Sequence, residues 1–126
     1  MKIKNGIDII EVSRIKENIE EMGERFLERV YTDKEIEYCE NKNVQKYQSY
    51  AARFAGKEAA FKALSSLIDN KYDVSWKDIE IINDEEGRPF VNILGNLKEI
   101  VGDKVNIEIS LSHIQRIAAA EVMVYY

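Results

Sequence analysis

Apolar and polar positions alternate at the start of the chain, where Met1 and Ile3 are interleaved with Lys2 and Lys4. Ile7, Ile9, Ile10 and Val12 follow after an Asn5-Gly6 interruption, and the pattern predicts a first strand. Ser13 can then cap a helix over about residues 14–22, which Gly23 stops. Phe26, Leu27 and Val30 mark a short apolar segment. Thr32-Asp33-Lys34-Glu35 reads as a capping box that opens a helix to about Glu40. A loop separates it from a strong helix between about Gln45 and Leu67, in which Tyr47, Tyr50, Ala51, Phe54, Phe61 and Leu64 recur largely at steps of three and four. Ala51, Ala52, Ala55, Gly56, Ala59, Ala60 and Ala63 lie on the same helix, and their small size lets another element approach its backbone closely.

Strand patterns dominate the second half. Ile79, Ile81 and Ile82 follow Trp76, the polar run from Asn83 to Arg88 makes a turn, and Pro89 to Ile93 forms the next strand. Gly95 to Val101 fits a short helix. Val105, Ile107, Ile109 and Leu111 alternate cleanly with polar residues, and Ala118, Ala120, Val122 and Val124 continue an apolar face. These last two strands are expected to pair as an antiparallel hairpin across His113 to Arg116. Helices followed by strands point to an α+β fold in which the long helix covers one face of an antiparallel sheet.

Length and composition narrow the classes. The chain has 126 residues, the size of a single domain spanning 1–126, and at that length roughly two-thirds of the unfolded surface can be buried without a disulfide or structural metal. Cys39 is the only cysteine, which excludes an internal disulfide and a cysteine zinc cluster. No apolar run approaches a membrane span or a signal peptide, so a reduced cytoplasmic location is the default expectation. The 18 basic and 23 acidic residues give a net charge of -5, which argues against nonspecific nucleic-acid binding.

Three segments could carry chemistry. Asp8 sits among Ile7, Ile9 and Ile10, where a carboxylate is costly to desolvate unless it is paired or binds a metal. Taken alone, it reads better as a surface-facing carboxylate on a half-buried strand. Glu58 and Lys62 share one helix face, four residues apart, among Ala and Phe residues; they form either a solvated surface pair or one lining of a cleft. His113, the only histidine, closes Ser110-Leu111-Ser112-His113 at a strand end, where it could bond locally, contact phosphate or act as a base. The chain has neither a Walker-type glycine loop nor a dinucleotide glycine fingerprint. Two readings therefore stand side by side. One is a metal-assisted phosphoryl transferase with Asp8 and Glu58 as oxygen ligands and Lys62 neutralising phosphate. The other is a noncatalytic module whose Arg14, Arg25 and Arg29 bind an acidic partner.

The segments G-I-D-I-I-E-V-S-R-I at 6–15, R-F-A-G-K-E-A-A-F-K-A at 53–63 and S-L-S-H at 110–113 followed by A-A-A-E-V at 118–122, in this order, resemble the 4′-phosphopantetheinyl transferase superfamily. The match is to its short bacterial branch, the holo-acyl-carrier-protein synthases. R-F-L-E-R-V-Y-T at 25–32, W-K-D-I-E-I and the later G-R-P extend the resemblance over essentially the whole chain. It implies transfer of 4′-phosphopantetheine from coenzyme A to a serine of an apo-acyl carrier protein, in support of fatty acid biosynthesis. It implies that Asp8 and Glu58 hold Mg²⁺ against the pyrophosphate and that Lys62 lies beside the phosphates. It also implies that Ser112 and His113 line the coenzyme A site from a neighbouring subunit of a homotrimer. Arg14, Arg25, Phe26 and Arg29 match the surface that docks the acidic carrier. Larger two-domain relatives carry a second acid two residues after the first aspartate. Here that position is Ile10, and the next acid, Glu11, falls on the opposite face of the strand.

Overall fold

A computed structural model describes residues 1–126. The elements run β1 (Ile3–Glu11), α1 (Val12–Met22), α2 (Glu24–Val30), α3 (Asp33–Glu40), α4 (Lys46–Leu64), β2 (Ile79–Asn83), β3 (Pro89–Ile93), α5 (Gly95–Val101), β4 (Asn106–His113) and β5 (Ile117–Tyr125). Short 3₁₀ turns precede and follow α4, and two more, Lys71–Asp73 and Trp76–Asp78, lead into β2. The fold is α+β, as its pattern predicts, with antiparallel strands packed on the long helix α4. The strands form two sheets rather than one: a three-stranded sheet in the order β1-β5-β4 and a two-stranded ribbon, β2-β3.

The last strand is the central one. Ala118, Ala120, Val122 and Val124 alternate along β5 and turn one buried face toward α4. β1 pairs with β5 on one side, with Gly6 opposite Val122 and Asp8 opposite Ala120. β4 pairs on the other side, and the expected hairpin closes across Ile114 to Arg116. Small residues let α4 sit close on this sheet. Gly6 lies so near the helix that a Cβ there would fall 2.0 Å from the Ala59 carbonyl oxygen. The Asn5-Gly6 interruption in the apolar pattern is therefore no break in the strand; it is the point where helix and strand backbones meet. On another side of the helix, a Cβ on Gly56 would fall 2.4 Å from Ile81 Cδ1 of the β2-β3 ribbon.

Two local expectations change. β1 runs directly into α1, so Glu11 occupies the cap position without a side-chain cap bond, and Ser13 lies inside the first helical turn. One of the free amides at the helix start is satisfied from outside the helix, because the Val12 amide donates to the Arg116 carbonyl in the β4–β5 turn at 2.8 Å. The segment around Phe26 is the short helix α2, with Phe26 and Val30 forming its buried stripe. The capping box at α3 is present as read: the Glu35 amide donates to Thr32 Oγ1 at 3.4 Å and the Thr32 amide to Glu35 Oε1 at 2.9 Å.

Candidate active site

β1 and α4 bring Asp8, Glu58 and Lys62 together. Lys62 does not bond to Glu58 on its own helix. Its ammonium crosses to β1 and donates to the Ile7 carbonyl at 3.0 Å and to Asp8 Oδ1 at 3.3 Å. The Asp8 side chain is 18% exposed and that of Lys62 53%, so the pair is open to solvent on one side. Glu58 is half-buried, and its carboxyl pKa is raised above the ordinary value, first by burial and then by the negative charge of Asp8, with Lys62 acting in the other direction. Two carboxylates thus repel one another beside a single exposed lysine.

A cavity of about 400 Å³ opens next to Glu58. Phe61, Val74, Trp76 and Ile79 supply apolar walls, and Lys71 and Tyr72 stand at its exposed side. Trp76 stacks on Phe54, with ring centroids 4.9 Å apart and planes 27° apart. Lys57 also borders the cavity, although its ammonium is turned inward. It forms a fully buried ion pair with Glu35 at 2.7 Å and donates to the carbonyls of Trp76 at 3.1 Å and Ile79 at 2.5 Å.

The other residues singled out in the sequence lie elsewhere on the subunit. His113 is exposed at the end of β4, opposite Ala118, which in turn faces Ile10 of β1. It is thus two strands away from the β1 edge that bears Asp8, roughly 10 Å across the sheet. Ser112 is exposed on the sheet face opposite the one that packs on α4. Arg14, Arg25 and Arg29 are all exposed. Phe26 differs from them: it is 7% exposed and packs edge-on to Tyr31, so its ring belongs to the core and anchors α2 from below. Glu11 is exposed, whereas Ile10 is buried on the face that carries Asp8.

The family model of the 4′-phosphopantetheinyl transferase superfamily matches residues 5–119. The chain belongs to that superfamily. It is 44% identical over 126 residues to a holo-[acyl-carrier-protein] synthase of Ruminiclostridium cellulolyticum, covering 98% of this chain and 92% of that protein. It is 41% identical over 120 residues to the synthase of Halothermothrix orenii, with 94% and 93% coverage. Among solved structures, the ACPS–CoA complex of Chronobacterium ammoniagenes superposes with a TM-score of 0.84 at 26% identity, covering 100% of this chain and 98% of that one. The Helicobacter pylori holo-[acyl-carrier-protein] synthase in complex with coenzyme A superposes with a TM-score of 0.81 at 30% identity, with 96% and 99% coverage.

The donor set of this transferase fold suits one kind of cation. No group of three or more His, Cys, Asp or Glu side chains gathers anywhere in the chain, so a metal held here would have two protein carboxylates, Asp8 and Glu58. That set fits a hard, strongly hydrated divalent ion, which keeps several waters and takes further oxygens from substrate phosphates. The raised pKa of Glu58 carries the same message, because a cation between the two carboxylates would offset their repulsion.

Proposed function

We propose that the chain is a holo-acyl-carrier-protein synthase, moving 4′-phosphopantetheine from coenzyme A to a serine of an apo-acyl carrier protein and supporting fatty acid biosynthesis. The whole length, 1–126, serves as one transferase domain. The observation that carries this reading is the meeting of Asp8 and Lys62 with Glu58, which itself borders an apolar cleft, in a chain whose near full-length relatives are holo-acyl-carrier-protein synthases. In the reaction the serine oxygen bonds to the phosphorus bearing the pantetheine arm. The pyrophosphate P–O bond breaks, 3′,5′-ADP leaves, and the serine proton is released.

Asp8 and Glu58 are the residues that would hold Mg²⁺. When bound, the ion supplies charge neutralisation on the pyrophosphate oxygens and on the leaving group. Lys62, more than half exposed and already turned toward β1, can swing from Asp8 to a phosphate oxygen. The apolar walls beside Glu58 exclude water from one side of the reacting phosphate, which strengthens the charge interactions there. Arg14, with Arg25 and Arg29, offers a local basic surface on a chain of net charge -5, suited to steering an acidic carrier. Arg14 borders a hollow of about 280 Å³ with Ile9, Ile10, Glu11 and Ile117, at the end of the strand that bears Asp8.

We also infer a homotrimer in which Ser112 and His113 of one subunit complete the coenzyme A site of the next. Two features support it: His113 stands apart from Asp8 within the subunit, and the outer face of β1 exposes Ile3, Ile7 and Ile9. A cytoplasmic location fits a chain in which no helix is long and apolar enough to cross a membrane. The test is mass spectrometry of an apo-carrier incubated with coenzyme A, Mg²⁺ and the protein. The expected result is a gain of one phosphopantetheine mass, lost in chelator and restored by Mg²⁺, and absent for Asp8→Ala and Glu58→Ala chains that remain folded. Transfer that persists in chelator overturns the metal assignment, and no mass gain with any acyl carrier protein overturns the function.

A further inference from the structure

Lys57 occupies the buried stripe of α4 formed by Tyr50, Arg53, Lys57, Ala60 and Leu64, one residue before the Glu58 carboxylate. A lysine ammonium has three protons to place, and here each has an acceptor: Glu35 Oε1, the Trp76 carbonyl and the Ile79 carbonyl. Only one of the three is its ionic partner. The other two bracket the turn Trp76–Asp78, which forms a wall of the cavity beside Glu58. The hydrogen bonds that tie this segment to α4, one to Trp76 in the turn and one to Ile79 at the start of β2, both come from Lys57. Glu35 is fixed independently, since it accepts from the amides of Thr32 at 2.9 Å and Ile81 at 2.8 Å. The lysine is thus suspended from a rigid carboxylate and holds the carbonyls of Trp76, in a 3₁₀ turn whose far end is fixed by Asp78, and of Ile79, the first residue of β2.

We propose that Lys57 is a positioning residue for the transfer reaction: its ammonium clamps the Trp76 turn to the helix that carries Glu58 and so sets the width of the cleft beside that carboxylate. Its ammonium is fully buried and all three of its protons go to protein acceptors, so it acts on the cleft through the turn. Its effect on turnover rests on the reading above, that this cleft receives coenzyme A. Its effect on the wall does not depend on that reading.

Trp76 is the only tryptophan, so its fluorescence reports on the wall directly. The decisive variants are Lys57→Met and the doubly neutral Lys57→Met with Glu35→Gln, which removes both charges of the buried pair and leaves the two carbonyls without their donor; Glu35→Gln alone is the control for the one backbone amide bond that the glutamine NH₂ cannot accept. The clamp predicts that the double variant melts cooperatively while acrylamide quenching of Trp76 rises about twofold, and that KM for coenzyme A rises about fivefold or more with smaller changes in kcat and in KM for the carrier. Wild-type quenching and wild-type KM in the double variant overturn the proposal, because Lys57 would then serve only to neutralise Glu35. Increased quenching with an unchanged KM for coenzyme A overturns the link to the reaction. Failure of both variants to fold makes the pair a requirement of the whole fold and overturns the local role. A wild-type protein with no transfer activity refutes the functional reading instead, and the quenching arm still tests the clamp.

Discussion

Gly6 shows how little room separates the strand bearing Asp8 from the helix bearing Glu58. A methyl group there would overlap a backbone oxygen, and backbone atoms cannot swing aside as a side-chain tip can. Gly6→Ala must therefore push β1 away from α4, at a cost of about 1–3 kcal/mol or more. The expected outcome is a lower denaturant midpoint together with a loss of transfer out of proportion to the loss of fold, because Asp8 lies two residues along the displaced strand. A variant with wild-type midpoint and wild-type turnover would show that the approach is looser. The carboxylates themselves make a second prediction. Burial and Asp8 raise the Glu58 pKa above its ordinary 4.5 in the folded chain, so the folded state holds its proton to a higher pH than the unfolded state does. The Glu58 contribution to stability therefore falls as pH rises through the window above 4.5. Glu58→Gln removes the ionisation, so in chelator its melting temperature should exceed that of the wild type at neutral pH. That advantage should shrink as pH falls toward the ordinary carboxylate value. An equal or lower melting temperature at neutral pH would mean that Lys62 already offsets burial and the repulsion from Asp8.

At the scale of elements, α4 was legible in its spacing and only half legible in its chemistry. The steps of three and four mark a helix, and the small residues mark a close approach. The Glu58–Lys62 spacing points equally to a bond along the helix, yet Lys62 spans to β1, because Asp8 and the Ile7 carbonyl give its ammonium two oxygen acceptors. Lys57 carried a signal that apolar periodicity passes over: it falls seven residues after Tyr50 and seven before Leu64, inside the buried stripe, where a charge requires a partner. Its partner was hidden in the α3 capping box, since Glu35 performs the capping role with one oxygen and reaches the Ile81 amide with the other. The Ser13 expectation failed for a related reason. A cap hydroxyl was visible in the sequence, but the Arg116 carbonyl that replaces it lies a hundred residues away in the chain. The arginines of α1 and α2 were legible as charges, and their exposure leaves them free to dock a partner. Arg14→Ala is expected to raise KM for the carrier several-fold with little change in KM for coenzyme A, since an exposed docking charge contributes mostly uniform binding. Added salt should imitate it by screening. Equal effects on both substrates, or salt independence, would place Arg14 in the service of the fold.

The whole molecule raises a question that a single subunit leaves open. α4 covers one face of the β1-β5-β4 sheet. On the other face Ile3, Ile7 and Ile9 are 60%, 65% and 69% exposed, and Met123 of the central strand is 38% exposed, in register opposite Asn5. A row of large apolar side chains on an uncovered sheet is costly in water, and burying it against copies of the same chain removes that cost. Such an assembly would also bring a neighbour's Ser112 and His113 toward the cleft, from which the subunit's own His113 is separated by the width of the sheet. Complementation tests this arrangement. Glu58→Ala and His113→Ala chains are each expected to be inactive and each to sediment as trimers. When the two are mixed and allowed to exchange subunits, some clefts draw Glu58 from a His113→Ala chain and His113 from a Glu58→Ala chain, and those clefts lack neither group. Activity should therefore return in the mixture and grow with the extent of exchange. Were each cleft built from one chain alone, every cleft in the mixture would still lack Glu58 or His113, and no exchange could restore transfer. An active His113→Ala chain would remove the histidine from the site, and a wild-type protein that sediments as a monomer would leave Ile3, Ile7 and Ile9 facing water and the shared cleft without a second subunit.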